Sequence, residues 1–251
     1  MKGQKERIAN AKKPGSCEVR KLRAHEKGIK MRIGLFGGTY NPIHLGHLRA
    51  AVEVKEGFSL DEIYLIPCAI PPHKKSGHVA GAQERYEMAR IATSNTPGFF
   101  ASDVELKRSG PSYTIDTILH FKSVLQKNTE LYFILGLDAF LEIDTWKSYM
   151  DLFPLIPFII LIRPHAGQID PDLRQQKIED FIKSKISAGY KYDSSQSGFI
   201  HLEMEPIFLF DVTSLEISSS AIRNLIKRRR SIRYLVPDEI IDFIKTKGLY
   251  L

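Results

Sequence analysis

From residue 31 onward, short apolar runs alternate with segments whose apolar positions recur at helical spacing. The runs are Arg32–Phe36 (RIGLF), Glu62–Pro67 (EIYLIP), Glu130–Leu135 (ELYFIL), Phe158–Arg163 (FIILIR) and Ile207–Phe210 (IFLF). They are continuous rather than in–out alternations, as expected of strands buried on both faces. A helix is predicted to begin near His44. Gln83–Asn95 is a second, with Tyr86, Met88, Ala89 and Ile91 as its apolar face. Tyr113–Gln126 is a third, with Ile115, Ile118, Leu119 and Leu125 on one side. Ser219–Arg229 and Pro237–Lys247 are the last two. The final one is expected to open with Pro237 at its first position and to close at Gly248. Residues 164–200 are polar and poorly patterned, and read as an insertion carrying one helix, Pro171–Ser187.

Strand–helix alternation of this kind implies right-handed βαβ units. The expected fold is α/β, a Rossmann-like doubly wound parallel sheet with a small C-terminal helical part. No Pro/Gly-rich linker divides the body, so residues 31–251 read as one domain. With 43% hydrophobic and 26% charged residues, the chain is not a disordered one. Nor does it read as a membrane protein. Its most apolar stretch, Phe153–Ile162, holds two prolines in ten residues, against the ~20 needed to span a bilayer.

Charge changes the picture at one end only. Residues 1–30 hold ten Lys or Arg and three Glu, which is the whole net charge of +7. The other 221 residues hold 26 basic and 26 acidic side chains. The body therefore carries no global bias for a polyanion, and an obligatory nucleic acid is not expected. The first thirty residues have no apolar stretch of the secretory kind and read as a basic, disordered extension; a functional basic arm is the other reading. The two cysteines, Cys17 and Cys68, lie far apart and form no framework, which points to a reducing cytoplasm.

The chemistry concentrates in Gly37-Gly38-Thr39-Tyr40-Asn41-Pro42-Ile43-His44-Leu45-Gly46-His47. Two glycines end a strand and permit a tight turn with close approach to a ligand. His44 and His47, three residues apart, fall on one face of the helix that follows. A helix N-terminus in a parallel sheet favours phosphate, and imidazoles add donors. Gly46 leaves room for something bulky against the backbone. Two other readings stand beside this one. The pair could be half of a metal site, with His73 and His78 as further ligands near Cys68, though Lys74 puts a cation there. It could also be two surface histidines. Near the other end, Ser218-Ser219-Ser220-Ala221-Ile222-Arg223 reads as a helix start, with serines to cap it or donate to phosphate and Arg223 one turn in to clamp two oxygens. Lys227, Arg228, Arg229, Arg230 and Arg233 read as a solvated helix end or as an extension of that phosphate field.

The first string resembles the signature of the nucleotidyltransferase superfamily that includes adenylyltransferases, cytidylyltransferases and class I aminoacyl-tRNA synthetases. Further motifs narrow the resemblance. In order they are Ile66-Pro67, Pro71-Pro72-His73-Lys74, Leu106-Lys107-Arg108, Pro111-Ser112-Tyr113-Thr114, Leu135-Gly136-Leu137-Asp138, Thr145-Trp146, Ile217 to Arg223, and Gly248-Leu249-Tyr250. Together they are similar to the bacterial nicotinate-nucleotide adenylyltransferases, from about Met31 to Leu251.

That resemblance implies transfer of adenylate from ATP to nicotinate mononucleotide, giving deamido-NAD and pyrophosphate, with Mg²⁺ carried by ATP. It implies that His44, His47 and Arg223 are catalytic, and that Gly37, Gly38, Thr39, Gly136, Asp138, Ser218, Ser219 and Ser220 bind ATP. Thr114, Trp146 and Lys74 would bind the acceptor, with Trp146 stacked on the pyridine ring and Arg108 a weaker candidate. The other readings are Asp138 as a helix N-cap, compatible with nucleotide binding, Trp146 as a core residue and Lys74 as a surface lysine. Sister transferases acting on nicotinamide mononucleotide or pantetheine phosphate are the nearest alternative, and a non-catalytic nucleotide or RNA binder a remoter one. The oligomeric state stays open.

Overall fold

The computed structural model describes residues 30–70, 79–163 and 170–251. Eight strands form one sheet: β1 (Arg32–Gly38), β2 (Glu62–Pro67), β3 (Phe99–Ala101), β4 (Glu130–Gly136), β5 (Phe158–Ile162), β6 (Lys191–Asp193), β7 (Gly198–Ile200) and β8 (Ile207–Asp211). Their spatial order is β3-β2-β1-β4-β5-β8-β7-β6. The first six in that order run parallel, and β7 and β6 are antiparallel additions at one edge. The order reverses between β1 and β4. In an open α/β sheet that reversal opens a crevice beyond the C-terminal strand ends, where ligands bind.

The continuous apolar runs serve two cores at once. Alternate residues point to opposite faces. Ile33, Leu35, Phe133, Leu135, Phe158 and Ile160 pack with α3 (Thr114–Val124) and α6 (Pro171–Lys185). Phe36, Ile63, Leu65, Ile134, Ile159 and Leu161 pack against α1 (Leu45–Gly57), α2 (Ala82–Thr93), α7 (Ser219–Lys227) and α8 (Asp238–Lys247). Two one-turn helices, α4 (Leu137–Phe140) and α5 (Tyr149–Leu152), and a 3-10 turn at Ile143–Thr145 follow β4.

Three details depart from the sequence expectation. Pro237 is the N-cap of α8, not its first helical residue; its extended ψ of 148° precedes a first turn carrying Asp238 and Glu239. The stretch after α6 is not structureless, because Lys191–Ile200 folds into the β6–β7 hairpin and widens the sheet. Its turn is held by Asp193, whose carboxylate accepts from the Ser195 amide at 2.9 Å. The three-residue β3 carries too little periodicity to read from sequence.

Candidate active site

The chain leaves β1 through Gly37 and Gly38 and turns back on itself at once. Tyr40 sits in the left-handed region (φ 49°) and sends its hydroxyl back to the Phe36 carbonyl at 2.7 Å. Its ring lies where a Cβ on Gly38 would come within 2.8 Å. The protein's own tyrosine thus constrains Gly38. Pro42 and Ile43 follow, both buried, and α1 starts with His44 as its N-cap.

His47 stands one turn into the helix, and the two imidazoles stack with centroids 3.6 Å apart. The His44 backbone N–H donates to Nδ1 of His47 at 3.3 Å. Nδ1 of His47 is thus an acceptor, which leaves the proton of the neutral ring on Nε2. His44 is 2% exposed. Its ring leans toward the His47 amide without completing a side-chain cap, and its buried Nδ1 has no hydrogen-bond partner among the described residues. Burial, with the charge of Arg163 beyond β5, pushes the His44 imidazole down to about 4. Gly46 has its reason here too. A Cβ on it would lie 3.1 Å from Nδ1 of His44, so the bulky group that approaches this backbone is the neighbouring imidazole.

Three elements hold this turn. The Arg85 side chain on α2 is fully buried, and its guanidinium donates to the carbonyls of Thr39 (2.9 Å), Cys68 and Ala69 (3.0 Å) and Ala80 (2.9 Å). It ties the loops after β1 and β2 together. From the other side, α7 docks on the same loop. Ser218 caps α7 by accepting from the Ala221 amide at 3.1 Å. Ser219 donates its hydroxyl to the Pro42 carbonyl at 2.9 Å. Arg223 donates to the Asn41 carbonyl at 2.8 Å and to Oγ of Ser220 at 3.1 Å. The Ser219 proton is thereby engaged within the protein, while Ser218 and Ser220 act as acceptors and keep theirs. Among the described residues Arg223 uses two of its five N–H groups and retains three. Finally, the Leu45 amide donates to the Leu235 carbonyl, which sets the α7–α8 connection against the start of α1.

Across the crevice, Gly136 ends β4 and is itself the N-cap of α4. A Cβ there would meet nothing within 4 Å. Asp138 is exposed in the first turn of α4, so the alternative of Asp138 as N-cap does not hold. The Phe133 ring links the two strand ends. It lies 3.4 Å from a Cβ built on Gly37 and meets Trp146 edge-on at 6.4 Å. Trp146 is half-buried against that core and partly open. Thr114 opens α3, and the residue after Trp146 reaches that helix start: Lys147 sits 4.5 Å above the Tyr113 ring and pairs with Asp116 at 3.6 Å. Arg108 instead faces α3, donating to Thr117 at 2.8 Å. Lys74 and His73 lie outside the described residues, as does His78.

Arg85, Asn41, Arg163 and Tyr250 belong to this site without having been singled out as its residues. Asn41 lies within the Gly37–His47 string and Tyr250 within the terminal Gly248-Leu249-Tyr250 string, whereas Arg85 and Arg163 carried no site signal. Among the described residues no three His, Cys, Asp or Glu side chains are grouped to hold a metal ion.

Residues 35–225 match the model of the cytidylyltransferase-like family. A relative from Desulfatibacillum aliphaticivorans, "Probable nicotinate-nucleotide adenylyltransferase", is 44% identical over 222 residues, covering 88% of this chain and 100% of its own length. One of the same name from Trichlorobacter lovleyi is 40% identical, with 88% and 99% covered. The solved "Plasmodium falciparum nicotinic acid mononucleotide adenylyltransferase complexed with NaAD" shares the fold at a TM-score of 0.63 and 22% identity, over 88% of this chain and 97% of that one. The chain belongs to the cytidylyltransferase-like family and, within it, to the nicotinate-nucleotide adenylyltransferases.

Proposed function

We propose that this enzyme transfers the adenylyl group of ATP to nicotinate mononucleotide, giving deamido-NAD and pyrophosphate. The observation that carries the reading is the stacked His44–His47 pair at the start of α1, beside the β1–β4 crevice. The identity of full-length relatives supplies the acceptor.

In the reaction, an oxygen of the acceptor's 5′-phosphate attacks the α-phosphorus of ATP. A P–O bond forms to the acceptor as the bond from the α-phosphorus to the bridging oxygen breaks, and the electron pair leaves with pyrophosphate. Charge on the transferring phosphoryl oxygens has to be met by fixed donors. Nε2–H of His47 is one such donor, with its proton placed by the His44 amide. His44, kept neutral, offers an uncharged imidazole to the phosphates. The three remaining N–H groups of Arg223, the hydroxyls of Ser218 and Ser220 and the turn at Gly37, Gly38 and Thr39 complete the ATP side. Asp138 and Gly136 take the adenosine. Trp146 and Thr114 take the pyridine ring, with Lys74 toward the acceptor's phosphate. Mg²⁺ enters bound to the phosphates of ATP, as part of the substrate, and supplies charge neutralisation there.

The two nucleotides are the partners in this reading, with no obligatory nucleic acid. No described helix is long and apolar enough to cross a membrane. The cytoplasm is the compartment proposed, from the cysteine usage. Pyrophosphate release from ATP tests the reading, with nicotinate mononucleotide, nicotinamide mononucleotide, pantetheine phosphate and no acceptor as parallel arms. Release that depends on nicotinate mononucleotide is expected. Stronger release with another acceptor would move the enzyme to a sister activity, and none with any would leave a binder.

A further inference from the structure

The last residues of the chain reach back to the substrate edge. Helix α8 ends at Gly248 in the left-handed conformation (φ 59°), with the Leu249 amide returning to the Ile244 carbonyl at 3.0 Å. This reversal points Tyr250 at the loop after β1. Its hydroxyl donates to Oδ1 of Asn41 at 2.8 Å, across 209 positions of sequence. Asn41 is 4% exposed. The same Oδ1 accepts from the Ala80 amide at 3.0 Å, and the Asn41 carbonyl accepts from Arg223. Asn41 is thus a hub on which α7, the segment before α2 and the chain terminus all close, three residues before His44.

We propose that Tyr250 is a positioning residue for the transfer reaction, acting through Asn41 to seat the Thr39–His47 turn and Arg223 in their working geometry. Three arguments support it. The hydroxyl stays a donor at neutral pH, because burial pushes its pKa above the usual tyrosine value. A buried carbonyl oxygen with two donors fixes the Asn41 side-chain orientation, and orientation errors well below 1 Å are felt at a reacting phosphorus. Leu249 and the Tyr250 ring both pack against the apolar core, so removing the Tyr250 hydroxyl alone separates positioning from packing.

The inference rests on the adenylyl-transfer reading, so its test includes a measurement that needs no turnover. Tyr250→Phe removes one oxygen and keeps the ring. The expected result is a fall in kcat/KM of about five- to twentyfold, with the melting temperature near that of the parent. Amide hydrogen exchange should quicken in peptides covering residues 39–47 and not in the central strands. Leu249→Ala should do the reverse, lowering the melting temperature while leaving exchange at 39–47 and kcat/KM near normal at a temperature where it is folded. Tyr250→Phe combined with Asn41→Ala should be no worse than Asn41→Ala alone, because both break one linkage. Normal kcat/KM and unchanged exchange in Tyr250→Phe would overturn the proposal, as would fully additive losses in the double variant. If the parent turns over no acceptor, the transfer reading fails by itself. The exchange experiment, run with ATP alone, then still decides whether Tyr250 seats the loop.

Discussion

Gly46→Ala asks for very little space and should cost activity rather than stability. The new methyl would lie 3.1 Å from Nδ1 and 3.2 Å from Cε1 of His44, and 3.9 Å from Cβ of Ile217. The Ile217 contact is ordinary. The His44 contacts are not, and opening them to the normal 3.4 Å requires a movement of about 0.3 Å. The His44 ring has no free direction, since it is 2% exposed and stacked 3.6 Å from His47. Any displacement is therefore passed to the second imidazole. With about a hundredfold loss per ångström of misplacement as a guide, kcat should fall roughly three- to tenfold. Stability should barely change. Alanine in place of glycine favours a helix by about 1 kcal/mol, which offsets the contact strain. Initial rates of pyrophosphate release give kcat and both KM values, and a thermal melt gives stability. Unchanged kinetics in a folded variant would show that the two rings are not held where the reaction needs them. A melting temperature lowered by ten degrees or more would show that Gly46 serves the fold instead.

His47→Ala should lower kcat by about two to three orders of magnitude, the scale of losing one donor to a developing oxyanion, with a much smaller change in ATP affinity by calorimetry; normal turnover would remove its assigned role. Trp146 is the only tryptophan, so its fluorescence should be quenched by nicotinate mononucleotide and much less by ATP. Trp146→Ala should raise KM for the acceptor at least about threefold with a smaller effect on kcat, as expected for a stack remote from phosphorus; indifference of both signals would make it a core residue. His44 should make stability depend on pH. Its folded pKa of about 4 lies below the ordinary 6.5, so the unfolded chain binds the proton first and stability is lost as pH falls through that window. Between pH 6.5 and 5 the loss attributable to His44 should be about 2 kcal/mol, read as the difference between denaturation curves of the parent and His44→Asn; parallel pH profiles would contradict the burial argument.

Much of the fold is legible because β1, β2, β4 and β5 are buried on both faces, and a strand of that kind must be apolar at nearly every position. The hairpin at Lys191–Ile200 sits at the sheet edge, half exposed, and so carries no such run. The Gly37–His47 turn is legible because its glycines, proline and histidines are contiguous. What holds the turn is not. Arg85 occupies the inward face of α2 with Met88 and Ala89, where a pattern reading assigns only apolar residues. Its burial makes sense only once four carbonyl oxygens from three separate segments converge on it. Asn41 looks like a turn residue and is a hub, because its three partners lie 39, 182 and 209 positions away. Arg163, just beyond β5, adds its charge to the burial of His44 from a position that sequence places nowhere near it.

Label tracing tests the central claim most directly. ATP carrying radiolabel at the α-phosphorus is incubated with nicotinate mononucleotide and the enzyme, and products are separated by chromatography. The account predicts label in the deamido dinucleotide, one unlabelled pyrophosphate per dinucleotide formed, and none attached to protein. It also predicts that His47→Ala binds ATP yet forms dinucleotide at one-hundredth of the parent rate or less, roughly. Label recovered as AMP without acceptor, label on the protein, or a full rate from His47→Ala would contradict direct adenylyl transfer at the His44–His47 pair.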